Sequence, residues 1–278
     1  MRLGAPVFVD STDPEEWVQA HVAKGYRAAY CPPVSLDDPA GIKAFRKACD
    51  AAGLVIAEVG AWGNIIIPDE ALRKQRLEHV RRQLALADEI GALGCVDFAG
   101  SFAPDDSLNY HPKNFTQEGF DFIVETVQGI LRDVKPKRAK FMLETMQWIP
   151  PDSVDSYVAL VEAIDDPMFG AHLDPTNLIV SPRCYADTGA IIRDFCERLG
   201  DKIVSAHAKD LHHGKGYIVE MYEVLPGTGQ LDYRAFVGCL AGLEQDVPLM
   251  IEHLASETEY DQAAAHIRSV ADELGVSF

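Results

Sequence analysis

The chain has 278 residues, 47% apolar and 24% charged, and its 25 basic and 43 acidic residues give a formal net charge of −18. That charge, with no basic patch to offset it, repels phosphodiester backbones and argues against a nucleic-acid partner. No apolar run approaches the roughly 20 residues of a membrane span, and MRLGAPVFVD lacks the basic and apolar regions of a signal peptide, so no membrane partner and a cytoplasmic setting are expected.

In chain order, short apolar runs alternate with longer segments of helical period. LGAPVFV (3–9) reads as a strand and DPEEWVQAHVAKG (13–25) as a helix, opened by Asp-Pro with acid in its first turn and closed by Gly25. YRAAYC (26–31) is a second strand, and DPAGIKAFRKACDAAG (38–53) repeats the Asp-Pro opening and glycine close. LVIAEVGAW (54–62) precedes a long helix over 69–91 with leucines at 72, 77, 84 and 86 on one face. GCVDFAGS (94–101), a longer loop, and a helix over 116–135 capped by Thr116 follow. KFMLETM (140–146) and a helix over 153–165, then FGAHLD (169–174) and a helix over 184–200, make the next two units. KIVSAHAKD (202–210) leads into a glycine-bearing excursion, LHHGKGYIVEMYEVLPGTGQL, which reads as an active-site loop with a small hairpin, and then a helix over 232–244. VPLMIEHL (247–254) and a helix over 257–275 close the chain.

Eight strand-then-helix units without a composition break predict parallel strands joined by right-handed crossovers. The count of eight favours closure: an α/β fold with one (β/α)₈ barrel domain over 1–278. No GxGxxG follows the first strand, which argues against a dinucleotide fold. The six cysteines, at 31, 49, 95, 184, 196 and 239, lack CxxC spacing and read as reduced, mostly buried thiols.

The active site of such a barrel lies at the C-terminal strand ends, where this chain places Glu58 and Trp62, Asp97, Glu144, Asp174, His207 with Lys209, and Glu252 with His253. Strand alternation lets Glu144, Asp174, His207 and Glu252 point inward while Leu143, Leu173, Ala206, Ala208 and Ile251 face the helices. Met142, Met146, His172, Ser205, Lys209 and Met250 then also point inward. Three carboxylates and an imidazole converging from four strands repel one another unless a cation neutralises them. One divalent ion answers this; the oxygen-rich donor set suits Mn²⁺, Mg²⁺ or Co²⁺ better than a structural zinc, with Zn²⁺ left open.

Glu144 in FMLETM, Asp174 in HLDPTN, His207 in SAHAKD and Glu252 in MIEHL together resemble the xylose isomerase-like TIM-barrel superfamily, in its sugar isomerase and epimerase branch of ketose 3-epimerases and hydroxypyruvate isomerases. The likeness runs along essentially the whole chain, and the HxKD and HLDxxN segments are its most specific parts. It implies a metal, Mn²⁺ foremost, held by Glu144, Asp174, His207 and Glu252, with Glu144 and Glu252 also the catalytic acid and base. Relatives of this kind are commonly dimers or tetramers. Ketose 3-epimerases carry a histidine three residues after the metal aspartate, where this chain has Asn177, and an arginine in the seventh-strand loop with no match among Leu211 to Gly216.

The expected activity is therefore metal-dependent isomerisation or epimerisation of a small sugar, keto-sugar or sugar acid through an enediolate. A metal-dependent lyase, decarboxylating or dehydrating an oxo-sugar acid on the same scaffold, is the alternative. Candidate carbohydrate contacts are His172, Asn177, Lys209, Trp62, Glu58 and His111, Glu58 being also a candidate anchor behind the metal ligands.

Overall fold

Aspartates and glycines punctuate the helices as the sequence suggests. In a computed structural model that describes residues 1–105 and 108–278, Asp13 accepts hydrogen bonds from the N–H groups of Glu15 and Glu16, both at 3.0 Å, and Asp38 from that of Gly41 at 2.9 Å. Gly53 and Gly91 end the second and third helices in the left-handed conformation, with φ of 65° and 83°.

Between the helices run β1 (Arg2–Gly4), β2 (Ala28–Tyr30), β3 (Val55–Gly60), β4 (Gly94–Asp97), β5 (Lys140–Leu143), β6 (Phe169–Leu173) and β7 (Ile203–Ala208). The hairpin strands β8 (Asp210–His213) and β9 (Met221–Val224) come next, and β10 (Pro248–Ile251) completes the set. The first seven and β10 form one closed parallel barrel in which β10 lies between β7 and β1; β8 and β9 form a separate antiparallel pair above it. This is the (β/α)₈ architecture the eight repeats predict, with the hairpin in the excursion after the seventh strand.

Alternation sorts the side chains into two layers. Leu143, Leu173, Ala206, Ala208 and Ile251 are fully buried in the main core between barrel and helices, while Ala28, Ala57 and Met250 form a small cluster of their own. The barrel interior is tight: a Cβ at Gly4 would lie 2.6 Å from Met250 Sδ, and one at Gly94 would lie 2.5 Å from Met142 Cε. Glycine at these two positions is what admits the methionines beneath the strand ends.

The strands are shorter than their apolar runs, because residues such as Val7 and Val9 pack beyond the ladder as loop. The helix read over 184–200 is two helices, Pro182–Ala186 and Thr188–Leu199. Asp187 stops the first and caps the second, its carboxylate accepting from Ala190 N–H at 3.0 Å. Among the described residues no helix is long and apolar enough to cross a membrane.

Candidate metal centre

Four neighbouring strands, β5, β6, β7 and β10, deliver the four predicted ligands to one place. Glu144 sits one residue past β5, with its N–H bonded to Asp97 O at 2.7 Å as if the ladder continued. Asp174 follows β6 and is the N-cap of the short helix Pro175–Leu178: Oδ1 accepts from Thr176 N–H at 3.0 Å, which turns Oδ2 toward the centre. Pro175 thus both ends the strand and starts a helix. His207 lies within β7, and Glu252 one residue past β10. One ligand atom from each of the four falls within 4.8 Å of all the others.

A second layer holds His207. Its Nε2 lies 2.8 Å from Glu58 Oε1, and Glu58 Oε2 accepts from Ser205 Oγ at 2.6 Å. Nδ1 faces the cluster, 3.2 Å from Glu144 Oε1 and 2.8 Å from Glu252 Oε1; with Nε2–H given to Glu58, loss of the Nδ1 proton would leave that lone pair for a cation. His172 packs edge-on against His207 with ring centroids 4.1 Å apart, and its Nε2 is 3.5 Å from Glu58 Oε2. Glu58 and His172 are 1% and 0% exposed, beneath the cluster rather than on its open side.

Lys209 places its ammonium among these side chains, 2.7 Å from Asp174 Oδ2, 2.5 Å from Glu252 Oε1 and 3.4 Å from Glu144 Oε1. Asn177 donates to Asp174 Oδ2 at 2.8 Å and to Glu144 Oε1 at 3.4 Å. Trp62 and His111 are not brought into the cluster. Trp62, 44% exposed, rests its ring over Gly60 and near Phe98. His111 caps the turn Pro112–Phe115, its Nδ1 accepting from Lys113 N–H at 3.3 Å.

Burial alone would raise Glu144 and Glu252, but His207 and Lys209 outweigh it, holding Glu144 well below the usual carboxylate range and Glu252 below it. Burial dominates at Asp174, pushed up to about 6 against the pull of Lys209. His207 is held well above its ordinary value: burial acts to lower it, and Glu58 and Glu252 more than reverse that. Even with His207 protonated, the carboxylates of Glu58, Glu144, Asp174 and Glu252 outnumber that imidazolium and the Lys209 ammonium in a buried space, with the His172 ring also beside Glu58. Glu252 Oε1, itself buried, has both His207 Nδ1 and Lys209 Nζ crowded against it, at 2.8 and 2.5 Å. The donor set and its charge deficit both fit a divalent cation.

Two cavities lie near this cluster, and only the second is lined by its own residues. One of about 240 Å³ is walled by Met146, Trp148, Asn177 and Tyr222, with Glu223 at its edge. The other, of about 270 Å³, is walled by Lys209, Glu252 and His253, and again by Glu223. A larger hollow of about 460 Å³ lies between the first two helices and shares no residue with the cluster.

Sequence reasoning missed Glu223, because an exposed hairpin position in a polar loop carries no signal until the hairpin is folded. It also missed Tyr30, whose buried hydroxyl donates to Ile251 O at 3.3 Å and whose ring lies 6.3 Å from that of His207. A tyrosine closing an apolar strand of this barrel was the available signal. Asp97, at the β4 end, is fully buried and bonded to Gly63 N–H at 2.7 Å, and burial pushes its carboxyl well above the usual range. It therefore ties the loop after β3 to the barrel through Gly63.

A family model described as xylose isomerase-like TIM barrel matches residues 18–270. No curated protein matches the chain. Among solved structures, the D-psicose 3-epimerase of Clostridium cellulolyticum H10, solved with D-tagatose, is similar at 14% identity and a TM-score of 0.72, with 100% of each chain covered. Endonuclease IV of Thermus thermophilus is similar at 16% identity and a TM-score of 0.71, covering 98% of this chain and 100% of that one. A xylose isomerase-like TIM barrel protein of Mycobacterium smegmatis in complex with magnesium is similar at 16% identity and a TM-score of 0.65, covering 94% of this chain and 87% of that one. At these identities the likenesses establish the shared fold.

Proposed function

The chain belongs to the xylose isomerase-like TIM barrel family, and on that premise we propose that it is a divalent-metal-dependent isomerase or epimerase of a small sugar, keto-sugar or sugar acid. The observation that carries this reading is the convergence of Glu144, Asp174, His207 and Glu252 within 4.8 Å at the mouth of the barrel. Those four residues would hold the cation, which when bound withdraws electron density from a carbonyl and an adjacent hydroxyl and acidifies the C–H between them.

The proton moves on the protein's own carboxylates. Glu144 and Glu252 come from β5 and β10, separated in the barrel by β6 and β7, so they approach the centre from different sides. Both are held in the ionised form, as a base must be. One, as the carboxylate, removes the proton to give the enediolate and becomes the carboxylic acid, while the other takes up a proton from solvent before it can donate. Return from the other to the opposite face inverts the carbon, while return to the neighbouring carbon moves the carbonyl. Lys209 and Asn177 hold Asp174 and Glu144 in place by hydrogen bonds, and Glu58 fixes the His207 ring. A neutral, hydroxyl-rich ligand suits the cavity walled by Trp148, Tyr222 and Asn177, since sugars present an apolar face to an aromatic ring and hydroxyls to an amide.

A nuclease reading has the similarity to endonuclease IV behind it, but a net charge of −18 opposes a polyanionic substrate. Turnover of a panel of ketoses, aldoses and oxo-sugar acids by Mn²⁺-loaded protein, beside an EDTA-treated control, tests the proposal. Interconversion of isomers that depends on metal supports it. Loss of water or carbon dioxide would instead assign a lyase acting on an oxo-sugar acid.

A further inference from the structure

The strand end that carries Glu252 has an unusual exit. The next residue, His253, has φ of 58°, in the left-handed region that few residues other than glycine occupy, asparagine, aspartate and histidine among them. Its side-chain contacts favour that conformation. Its Nδ1 lies 3.0 and 3.3 Å from the two carboxylate oxygens of Glu223 on β9, while its Nε2 lies 3.8 Å from Glu252 Oε2.

Glu223 is placed by a rigid base. Its partner across the hairpin is Leu211, and the neighbouring Asp210 carboxylate accepts from the N–H groups of Gly227, Gly229 and Leu231, each at 2.9 Å, tying down the return loop. The hairpin thus offers a fixed carboxylate to His253. Glu223 lines the cavity that Lys209, Glu252 and His253 also wall, and the neighbouring cavity beside Asn177, so its contact with His253 joins β9 to the exit of β10 at the site.

We propose that Glu223 and His253 are positioning residues for Glu252: their hydrogen bond holds the β10 exit in the left-handed turn that aims the Glu252 carboxylate at His207 and Lys209. This rests on the metal-site reading above. An exposed ion pair of purely surface character would leave the site unaffected when cut; a positioning pair would not.

The test is Mn²⁺ affinity, read by the paramagnetic resonance signal of free aqueous Mn²⁺, together with the melting temperature of the metal-free protein. Glu223→Ala and His253→Gly are expected to weaken Mn²⁺ binding by about tenfold, the usual scale for groups that orient metal ligands, without lowering the metal-free melting temperature. Glycine relaxes the backbone here, so His253→Gly separates loss of the side-chain contact from misfolding. Glu223→Gln keeps an acceptor for His253. His253→Asn tolerates the left-handed turn and offers an amide donor to Glu223, so both are expected to bind Mn²⁺ within about twofold of wild type. Wild-type affinity in Glu223→Ala, or a His253→Asn variant as weak as His253→Gly, would overturn the proposal while leaving the metal site standing. A wild-type protein that binds no Mn²⁺ would overturn both.

Discussion

The ammonium of Lys209 lies 2.7 Å from Asp174 Oδ2, inside the ring of carboxylates that would hold a metal. Removing it strands buried negative charge. Lys209→Met is therefore expected to destabilise the metal-free protein by about 3 kcal/mol, the lower end for breaking a buried pair. Added Mn²⁺ should raise the melting temperature of the variant more than that of wild type, because the ion then neutralises charge that the lysine no longer offsets. Thermal melts of both proteins with EDTA and with Mn²⁺ measure this.

Binding a cation only in the folded state stabilises it by mass action. At a free Mn²⁺ concentration about 100 times the dissociation constant the gain is roughly 2.7 kcal/mol, a rise of several degrees for a chain of this size. Asp174→Asn, which removes a ligand charge at the centre, should abolish most of that rise. A calorimetric scan at matched metal concentration distinguishes the two proteins.

Glu58 touches no open space yet sets which nitrogen of His207 faces the cluster, through a 2.8 Å bond to Nε2. Glu58→Gln keeps the volume and loses the charge that favours this arrangement. Mn²⁺ affinity should fall about tenfold with an unchanged far-ultraviolet circular dichroism spectrum; isothermal titration reads the affinity directly.

Away from the site, Asp88 accepts from the N–H groups of Lys137, Arg138 and Ala139 at 2.9, 2.6 and 3.0 Å, pinning the loop before β5. Partial burial raises its carboxyl, but these bonds prevail and hold it below the ordinary value. A depressed carboxylate stabilises the fold above its unfolded value, near 3.9, and that contribution is lost as pH falls through the folded value. Asp88→Asn should cost about 1–2 kcal/mol at neutral pH. The gap to wild type should close in urea titrations below about pH 4.

The four candidate ligands were legible because each polar residue ends a short apolar run, and alternation with Leu143, Leu173, Ala206 and Ile251 fixes which way it faces. Helix starts at Asp13 and Asp38 and stops at Gly53 and Gly91 were legible because capping is local chemistry. The break at Asp187 had the same local signal, an aspartate before threonine and an apolar repeat, but the continuous helical period on both sides masked it. What could not be read was contact between distant segments: Glu223 meets His253 only because a hairpin folds over β10, and Lys209 reaches three carboxylates only once β5, β6 and β10 close around it. His111 shows the converse. A loop histidine looks available in sequence, and folding commits its ring nitrogen to the cap of a turn.

The most direct test of proton transfer is proton NMR in D₂O of the Mg²⁺-loaded protein with its best sugar substrate, alongside EDTA-treated protein, Glu144→Gln and Glu252→Gln. Deuterium is expected at a carbon beside the carbonyl with the metal-loaded wild type, with loss of that exchange in the EDTA control and in at least one of the two variants. Turnover without any solvent deuterium in the product, or exchange that persists in both variants, would contradict proton transfer by these carboxylates.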